Sequence, residues 1–253
     1  MRKNTTIEAL LFDLDGTAIP NDPHGMPSAR VMEAVGKAQK LVKVSVATGR
    51  ELASCKPIIE AFSIEYPCII SGGTQLYDPH TGDIIWQKLL SKEKVEEIIH
   101  KCSAFPFNVV AANEVGEFPL REYFPRVTEK SMLYIVNIPV GSEGEIVGIL
   151  KSISGIAVHV VVAWKPHCVD LHISHEAATK KHAMQELLHR ESVDPRHVMV
   201  VGDGGNDLPL FSLAGLKIAM GNASPELKAA ANEVTQSVDD DGLAVAIEKY
   251  ILE

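Results

Sequence analysis

The sequence lacks an excess of positive charge, and it lacks paired cysteines. Its 24 Lys and Arg residues are outnumbered by 33 Asp and Glu residues, for a formal net charge of -9. This balance argues against nonspecific binding to nucleic acid or to anionic lipid. The four cysteines are widely scattered, with no CxxC pair. We therefore expect free thiols in or near the core rather than a disulfide framework.

Long apolar runs are absent as well. No run approaches the roughly 18 residues of a membrane span. Residues 1–3 are followed by polar residues and Glu8, not by the apolar core of a signal peptide. These absences predict a soluble cytoplasmic protein, monomeric or homodimeric, with no nucleic-acid or membrane partner. The 253 residues, 46% of them hydrophobic, are enough to bury a sizeable core.

Apolar strand candidates alternate with helix candidates at both ends of the chain. Strands that are apolar throughout indicate a parallel sheet covered on both faces, so we predict an α/β fold with a doubly wound, Rossmann-like sheet. The strand candidates are residues 9–12, 42–46, 68–70, 198–201 and 216–220. The first helix candidate has apolar residues at intervals of three and four, namely Val31, Ala34, Val35, Ala38 and Leu41.

The middle of the chain has a different pattern. Strand candidates with alternating polarity lie at 134–138, 158–163 and 169–173, and amphipathic helix candidates lie near 95–102 and 146–153. We interpret residues 81–176 as an α+β cap domain inserted into a catalytic core made of residues 1–80 and 177–253.

Each core strand candidate ends in a polar or glycine-rich peptide. Because doubly wound sheets bind ligands beyond the carboxyl ends of their strands, these peptides are expected to meet in one crevice. They are Asp13-Leu14-Asp15-Gly16-Thr17, Thr48-Gly49-Arg50, Ser71-Gly72-Gly73 and Gly202-Asp203-Gly204-Gly205-Asn206-Asp207.

The first of these peptides has the spacing that phosphoryl transfer needs. A carboxylate at a strand end can attack phosphorus while holding a divalent cation, and a second one two residues later can handle the proton of the leaving oxygen. Asp13 and Asp15 have this relationship, and the polar side chains of residues 202–207 suit a magnesium shell. Taken alone, the pentapeptide is equally compatible with a simple Asp-Gly turn, and Thr48 with a helix N-cap before Glu51.

Four ordered motifs resemble those of the haloacid dehalogenase superfamily. They are Asp13-x-Asp15-Gly16-Thr17, Thr48-Gly49-Arg50, Lys180 and Gly202-Asp203-Gly204-x-Asn206-Asp207. The segment from Ala219 to Glu226, followed by Asp241-Gly242-Leu243-Ala244, is similar to the Cof-type (cap class IIB) sugar-phosphatase branch. The resemblance covers residues 1–80 and 175–253. It implies a Mg2+-dependent phosphatase whose substrate is a small phosphorylated metabolite, such as a sugar phosphate or a phosphoglycolate-like acid.

The resemblance also implies roles for individual residues. Asp13 would form an aspartyl-phosphate, and Asp15 would act as general acid and then as general base. Mg2+ would be held by Asp13, the Asp15 backbone carbonyl and Asp203, with Asp207 behind them.

The same resemblance implies the residues that bind the substrate at the core. Thr48 and Lys180 would bind the phosphoryl oxygens, with Lys181 as the rival lysine, and Asn206 would orient phosphate or lysine. The other implied positions are Gly49, Arg50, Ser71 and Gly72. Ser71-Gly72-Gly73 departs from the usual Asn-Gly-Ala of the family, which weakens inference about specificity.

In the cap, Trp164-Lys165-Pro166-His167 separates two strand candidates, as a hairpin loop facing the site would. Trp164, Lys165 and His167 are therefore candidate substrate contacts, with Arg121 and Arg126 as the next candidates. We interpret the His172-x-x-His175 pattern as a solvated strand edge rather than a metal pair, and residues 239–242 as an acidic surface turn.

Two other functions stay open. A phosphomutase would use the same aspartyl-phosphate chemistry but would form an isomer instead of releasing phosphate. A catalytically silent regulatory binding protein would have little reason to keep all four motifs.

Overall fold

The computed structural model describes residues 6–113, 116–119 and 129–253; residues 1–3, Arg121 and Arg126, on which predictions were made, lie outside them. The strands are β1 (Ala9–Phe12), β2 (Lys43–Val46), β3 (Cys68–Ile70), β4 (Gln75–Asp78), β5 (Asp83–Gln87), β6 (Asn108–Asn113), β7 (Gly116–Pro119), β8 (Leu133–Pro139), β9 (Ile156–Val162), β10 (Cys168–His175), β11 (Val198–Gly202), β12 (Leu216–Ala219) and β13 (Glu233–Val234). The helices are α1 (Ala29–Ala38), α2 (Leu52–Ala61), α3 (Lys92–Cys102), α4 (Gly144–Lys151), α5 (Lys180–Arg190), α6 (Leu208–Phe211), α7 (Pro225–Ala230) and α8 (Gly242–Ile247).

The central sheet is parallel and has the strand order β13-β12-β11-β1-β2. β1 and β11 are buried along their whole length, as expected of strands covered on both faces. β1 pairs with β2 on one side and with β11 on the other, so the strand order changes direction at β1. The predicted α/β fold is confirmed. Such a change in the direction of strand order leaves a crevice beyond the carboxyl ends of the strands on either side of it.

The first helix follows the predicted pattern except at its end. Ser28 caps α1 by accepting a hydrogen bond from the Val31 backbone N–H at 3.1 Å, and the apolar side chains up to Ala38 are buried. The pattern also places Leu41 on the buried face, which is wrong. α1 ends at Ala38, and Leu41 lies in the following turn with 63% of its surface exposed.

A small antiparallel sheet, β3-β4-β5, extends the central sheet. A parallel bridge between Ala47 and Ile69 joins the two sheets. The hairpin of β4 and β5 was not predicted from the sequence. Ile84 and Trp86 on β5 pack against the same hydrophobic core as the central sheet.

A second five-stranded sheet, antiparallel and in the order β7-β6-β8-β10-β9, forms the middle region. Its apolar face packs with α3 and α4 around Val95, Ile98, Ile146, Leu150 and Leu171. The strand and helix candidates of this region are confirmed as β8, β9, β10, α3 and α4. The domain boundaries at residues 80 and 177 stay a prediction.

Among the described residues, no helix is both long enough and apolar enough to cross a bilayer. All four cysteines are buried free thiols, as predicted. Burial raises the pKa of Cys68 to about 12, so its reactive thiolate form is disfavoured at neutral pH.

Candidate active site

Two aspartates lie side by side where neighbouring strands end. Asp13 follows β1 directly and Asp203 follows β11. Gly16 adopts a positive φ of 72°, and a Cβ on this residue would lie 2.3 Å from Asp203 Oδ2. The loop after β1 can therefore approach the loop after β11 only with glycine at this position.

Lys180, the first residue of α5, joins the carboxylates of Asp13 and Asp207. Its Nζ lies 2.9 Å from Asp13 Oδ2 and 2.7 Å from Asp207 Oδ1. The lysine is buried, with 2% of its surface exposed. Asp207 Oδ2 accepts hydrogen bonds from the backbone N–H groups of Asp203 and Gly204, both at 3.1 Å. One lysine thus fixes the predicted nucleophile against a carboxylate that is itself anchored to the loop after β11.

The carboxylates of this cluster carry more negative charge than their protein partners balance. Burial and the neighbouring Asp207 raise the pKa of Asp13 well above its usual range, although Lys180 opposes this shift. Burial and Asp207 likewise raise the pKa of Asp203 to about 7. Burial by itself would lower the pKa of Lys180, but Asp13 and Asp207 raise it above its ordinary value. Lys180 is therefore a cation at neutral pH.

A divalent cation fits this donor set. Ligand atoms of Asp13, Asp203 and Asp207 all lie within 4.8 Å of one another, and carboxylate oxygens are the donors that Mg2+ prefers. Thr17 Oγ1 donates to Asp203 Oδ1 at 3.2 Å. Both oxygens of Asp207 are engaged by Lys180 and backbone N–H groups. These contacts support a position for Asp207 behind the ligands.

The carboxylate of Asp15 is held apart from this cluster by Arg50. The guanidinium donates from Nε to Asp15 Oδ2 at 2.8 Å and from Nη2 to Asp15 Oδ1 at 2.6 Å. Arg50 also donates to the backbone carbonyls of Asp22, at 2.8 Å, and Pro23, at 3.2 Å. Four hydrogen bonds thus hold a predicted substrate-binding arginine within the core, and two of them orient the predicted acid and base.

Thr48 lies buried at the end of β2, but it is not a helix N-cap, because α2 begins later with Glu51 as its N-cap. Thr48 Oγ1 instead accepts a hydrogen bond from the Arg50 backbone N–H at 3.1 Å. The Gly72 N–H donates to the Thr48 carbonyl at 3.0 Å. The predicted phosphate-binding loops after β2 and β3 are therefore joined to each other.

Ser71 does not face the crevice. It is 1% exposed, and its hydroxyl donates to Gln75 Oε1 at 3.2 Å. Gly72, in contrast, borders a small cavity together with Lys180 and Asn206. Among the predicted positions of this loop, Gly72 is thus the one next to the phosphoryl-binding candidates.

A cavity of about 550 Å³ separates the strand ends from the antiparallel sheet of the middle region. Asp13, Asp15, Gly49, Arg50, Asp203 and Asn206 line it on the core side. Tyr134, Val136, Val161, Trp164, Lys165, Asp170 and His172 line it on the other side. Six of the predicted core residues and part of the predicted cap loop therefore border one space, whereas Thr48, Ser71, Gly72, Lys180 and Asp207 do not line it.

The loop between β9 and β10 is a hairpin, as predicted. Trp164 and Lys165 line the cavity. His167 lies in the turn with a positive φ of 60° and is not part of the cavity wall. A substrate contact from His167 stays a prediction that its position does not support.

The interpretation of His172 as part of a solvated edge is wrong. β10 lies between β8 and β9 inside the sheet, and His172 packs edge-on against Tyr134 with 4.8 Å between ring centroids. Burial, together with His159 and Lys180, lowers the pKa of His172 to about 3. A Cβ on Gly49 would lie 3.2 Å from the His172 ring, so the imidazole covers the loop after β2.

Sequence reasoning did not identify Tyr134 as part of the site. Its hydroxyl donates to the Gly49 carbonyl at 3.4 Å. Strand alternation places residues 134 and 136 on one face of β8, but the pattern alone does not show that this face meets the core. Asn222, seen only within the resembling tail, donates to the Gly16 carbonyl at 2.8 Å and so supports the first loop.

Comparison with known proteins shows consistent similarity. The sequence pattern of one family, described as haloacid dehalogenase-like hydrolase, matches residues 10–132 and 127–247. The chain is 25% identical over 256 residues to 5-amino-6-(5-phospho-D-ribitylamino)uracil phosphatase YcsE of Bacillus subtilis (strain 168), covering 99% of this chain and 98% of that protein.

Two solved structures share the fold at lower identity. The phosphatase BT1666 of Bacteroides thetaiotaomicron superimposes with a TM-score of 0.81 at 22% identity, covering 99% of this chain and 97% of its own. The subclass IIB sugar phosphatase BT4131 gives a TM-score of 0.80 at 21% identity, with 96% and 98% covered.

Proposed function

The chain belongs to the haloacid dehalogenase-like hydrolase family, and we propose that it is a Mg2+-dependent phosphatase that hydrolyses a small phosphorylated metabolite through an aspartyl-phosphate. The phosphatase YcsE, similar along nearly its whole length, supports phosphate-ester hydrolysis. The carrying observation is the buried chain of contacts that runs from Asp13, which lines the cavity, through Lys180 to Asp207.

Asp13 is oriented for attack on phosphorus. Its Oδ1 accepts a hydrogen bond from the Leu14 backbone N–H at 2.7 Å, and its Oδ2 contacts Lys180. In the first half of the reaction, a bond forms between the Asp13 carboxylate and phosphorus while the bond to the leaving oxygen breaks. Lys180 offsets the charge on Asp13, so that an anionic phosphoryl group can approach it.

Asp15 would transfer the protons of both half-reactions. It gives a proton to the leaving oxygen, and it then accepts a proton from the water that attacks phosphorus, as the bond from phosphorus to Asp13 breaks and inorganic phosphate is released. Thr48, Lys180 and Asn206 would contact the phosphoryl oxygens.

Asp13, the Asp15 backbone carbonyl and Asp203 would hold Mg2+, with Asp207 supporting them. When bound, the cation supplies positive charge opposite the phosphoryl oxygens. The raised pKa values of Asp13 and Asp203 support this assignment, because burial and the neighbouring Asp207 carboxylate disfavour their charged forms and a bound cation would offset both effects.

The middle region, residues 81–176, would act as the cap that selects the substrate over a core made of residues 1–80 and 177–253. The cavity of about 550 Å³ lies within the range of small-molecule sites and has space for the body of a sugar phosphate beyond its phosphoryl group.

The deciding experiment incubates the purified protein with a panel of phosphorylated metabolites and measures both inorganic phosphate and isomeric products. We expect Mg2+-dependent phosphate release from at least one sugar phosphate or short phosphorylated acid. Isomer formation without phosphate release would replace this proposal with a phosphomutase. No reaction with any ester, including an activated aryl phosphate, would favour a silent binding protein.

A further inference from the structure

The indole of Trp164 connects the middle region to the ion pair of Asp15 and Arg50. Its Nε1 donates to Asp15 Oδ1 at 3.4 Å. The Arg50 guanidinium carbon lies 5.2 Å from the centroid of the Trp164 rings, within the range of a cation–π interaction. One side chain from the β9–β10 hairpin thus contacts both partners of a pair that belongs to the core.

The two members of the core pair differ in how firmly they are held. Arg50 has a side chain only 4% exposed and is bonded to two backbone carbonyls as well as to Asp15. Asp15 is 23% exposed at its side chain, and both of its strong donors come from Arg50. Arg50 is therefore a fixed platform, whereas the carboxylate depends on its contacts for its orientation.

The two carboxylate oxygens of Asp15 also differ in the number of hydrogen bonds that they accept. Among the described residues, Oδ1 accepts from Arg50 Nη2 and Trp164 Nε1, whereas Oδ2 accepts from Arg50 Nε alone. A carboxylate oxygen has two acceptor positions. With Trp164 in place, Oδ1 is saturated and Oδ2 keeps one position for exchanging a proton.

We propose that Trp164 is a positioning residue for proton transfer. Its side chain directs Oδ2 of Asp15 to the leaving oxygen when the cap covers the core. The inference rests on the proposed phosphatase function and adds a residue that acts through Asp15. The contact of 3.4 Å is long, as hydrogen bonds in catalytic sites often are before substrate binds.

The effect of Trp164 on the reaction rate depends on the leaving group of the ester. As the bond from phosphorus to the leaving oxygen breaks, that oxygen takes the proton from Asp15, which becomes a carboxylate. A poor leaving group, such as an alkoxide or an unsubstituted phenoxide, needs this proton, whereas p-nitrophenoxide departs with little assistance. Loss of positioning therefore slows esters of poor leaving groups selectively.

The test uses aryl phosphates of similar size with leaving groups of different basicity, from p-nitrophenyl to p-methylphenyl phosphate. The quantity compared is kcat/KM, which covers the steps up to formation of the aspartyl-phosphate. Trp164→Phe keeps an aromatic ring over Arg50 and removes the indole N–H. Trp86→Phe is the matched control, because Trp86 is the other tryptophan of the chain and packs against the core on β5.

We expect Trp164→Phe to lower kcat/KM about tenfold for the poorest leaving group and less than about twofold for p-nitrophenyl phosphate. The dependence of rate on leaving-group basicity becomes steeper, while Trp86→Phe leaves it unchanged. An equal loss across the series assigns Trp164 to substrate binding or packing and overturns the inference. A wild-type protein that hydrolyses no member of the series overturns the proposed function, and this inference with it.

A second measurement does not need substrate. In the Trp86→Phe protein, Trp164 is the single tryptophan, so its fluorescence reports the indole environment. Arg50→Met removes the cation and the donors to Asp15, and we expect it to shift the emission of Trp164. Arg196→Met, which replaces an exposed arginine outside the site, should leave the emission of Trp164 unchanged. Identical emission with and without Arg50 would show that the indole does not rest on this pair in solution, and it would overturn the inference.

Discussion

The ammonium of Lys180 lies 2.9 Å from the carboxylate of Asp13, and both groups are almost completely buried. Removing one partner from such a pair leaves an uncompensated charge inside the protein, which is more costly than the pair itself. This contact therefore matters for stability as well as for chemistry, and the two effects can be measured separately.

Asp13→Asn is expected to abolish turnover. The amide cannot form the bond to phosphorus, so kcat should fall by at least about 10^3 while the fold is kept. Phosphate release by the folded variant is the measurement, with Asp239→Asn in the surface turn as the control of equal chemistry. Near wild-type hydrolysis by Asp13→Asn would remove this residue from the role of nucleophile.

Lys180→Met is expected to destabilise the protein in metal-free buffer. It leaves Asp13 and Asp207 buried without their shared cation, and the free energy of unfolding should fall by about 3 to 5 kcal/mol. Lys181→Met removes the neighbouring, half-buried lysine and should change stability by no more than about 0.5 kcal/mol. Denaturant unfolding measures both. Equal losses of stability in the two variants would show that Lys180 is not the lysine that balances Asp13 and Asp207.

Chelation is expected to inactivate the protein, and Mg2+ to restore it, with Ca2+ a poor substitute because of its looser coordination. Because a carboxylate must lose its proton to bind metal, and because Asp203 has a pKa of about 7, apparent Mg2+ affinity should rise as the pH increases from 6 to 8. Titration calorimetry at several pH values measures this. Full activity after exhaustive chelation contradicts the metal assignment, and a flat affinity profile contradicts the role of Asp203.

Lys165→Ala is expected to affect substrate choice. Lys165 lines the cavity, and losing a polar contact should lower kcat/KM for the best metabolite by about tenfold while changing a small aryl phosphate much less. His167→Ala should have a smaller effect because His167 does not line the cavity. Lys151→Ala, exposed on α4, is the control. Parallel losses on both substrates would show that Lys165 does not determine specificity.

The half-buried His172 is expected to make stability depend on pH. Its pKa is about 3 in the folded protein and about 6.5 when unfolded. Above about pH 6.5 both states hold a neutral ring, and as the pH falls toward 3 only the unfolded state gains the proton, so stability is lost by up to about 1.4 kcal/mol per pH unit. Relative to His172→Gln, the wild type should lose stability between pH 6.5 and 4.5. Exposed His100→Gln should show no such trend, and a trend equal to His100 would show that His172 is solvated.

The central sheet and the meeting of the peptides at its strand ends could be predicted because they depend on local pattern. Apolar runs locate β1 and β11, and the polar peptides that follow them must meet once the sheet is parallel. The choice of Lys180 over Lys181 came from the resemblance, and the contacts of Lys180 with Asp13 and Asp207 support it.

Other features depend on contacts that a single sequence does not show. The pairing of Asp15 with Arg50 joins two loops that the motifs treat as separate. We assigned His172 to a strand edge, because the residue pattern of a strand does not show where that strand lies in an antiparallel sheet. Leu41 continues the apolar spacing of α1, yet the helix ends before it. The spacing of apolar residues does not by itself locate the end of a helix.

The hydrogen bond from Thr17 to Asp203 joins residues 186 positions apart in the chain, and this separation has a consequence for biosynthesis. A ribosome that has translated the first 80 residues has made Asp13 and Asp15, but none of their partners on the loop after β11. The lysine that neutralises Asp13 and the aspartates beside it follow only after the whole middle region has emerged. The catalytic centre therefore cannot form progressively along the growing chain, and we expect nascent chains that stop before residue 207 to be inactive, however well their first strands have folded.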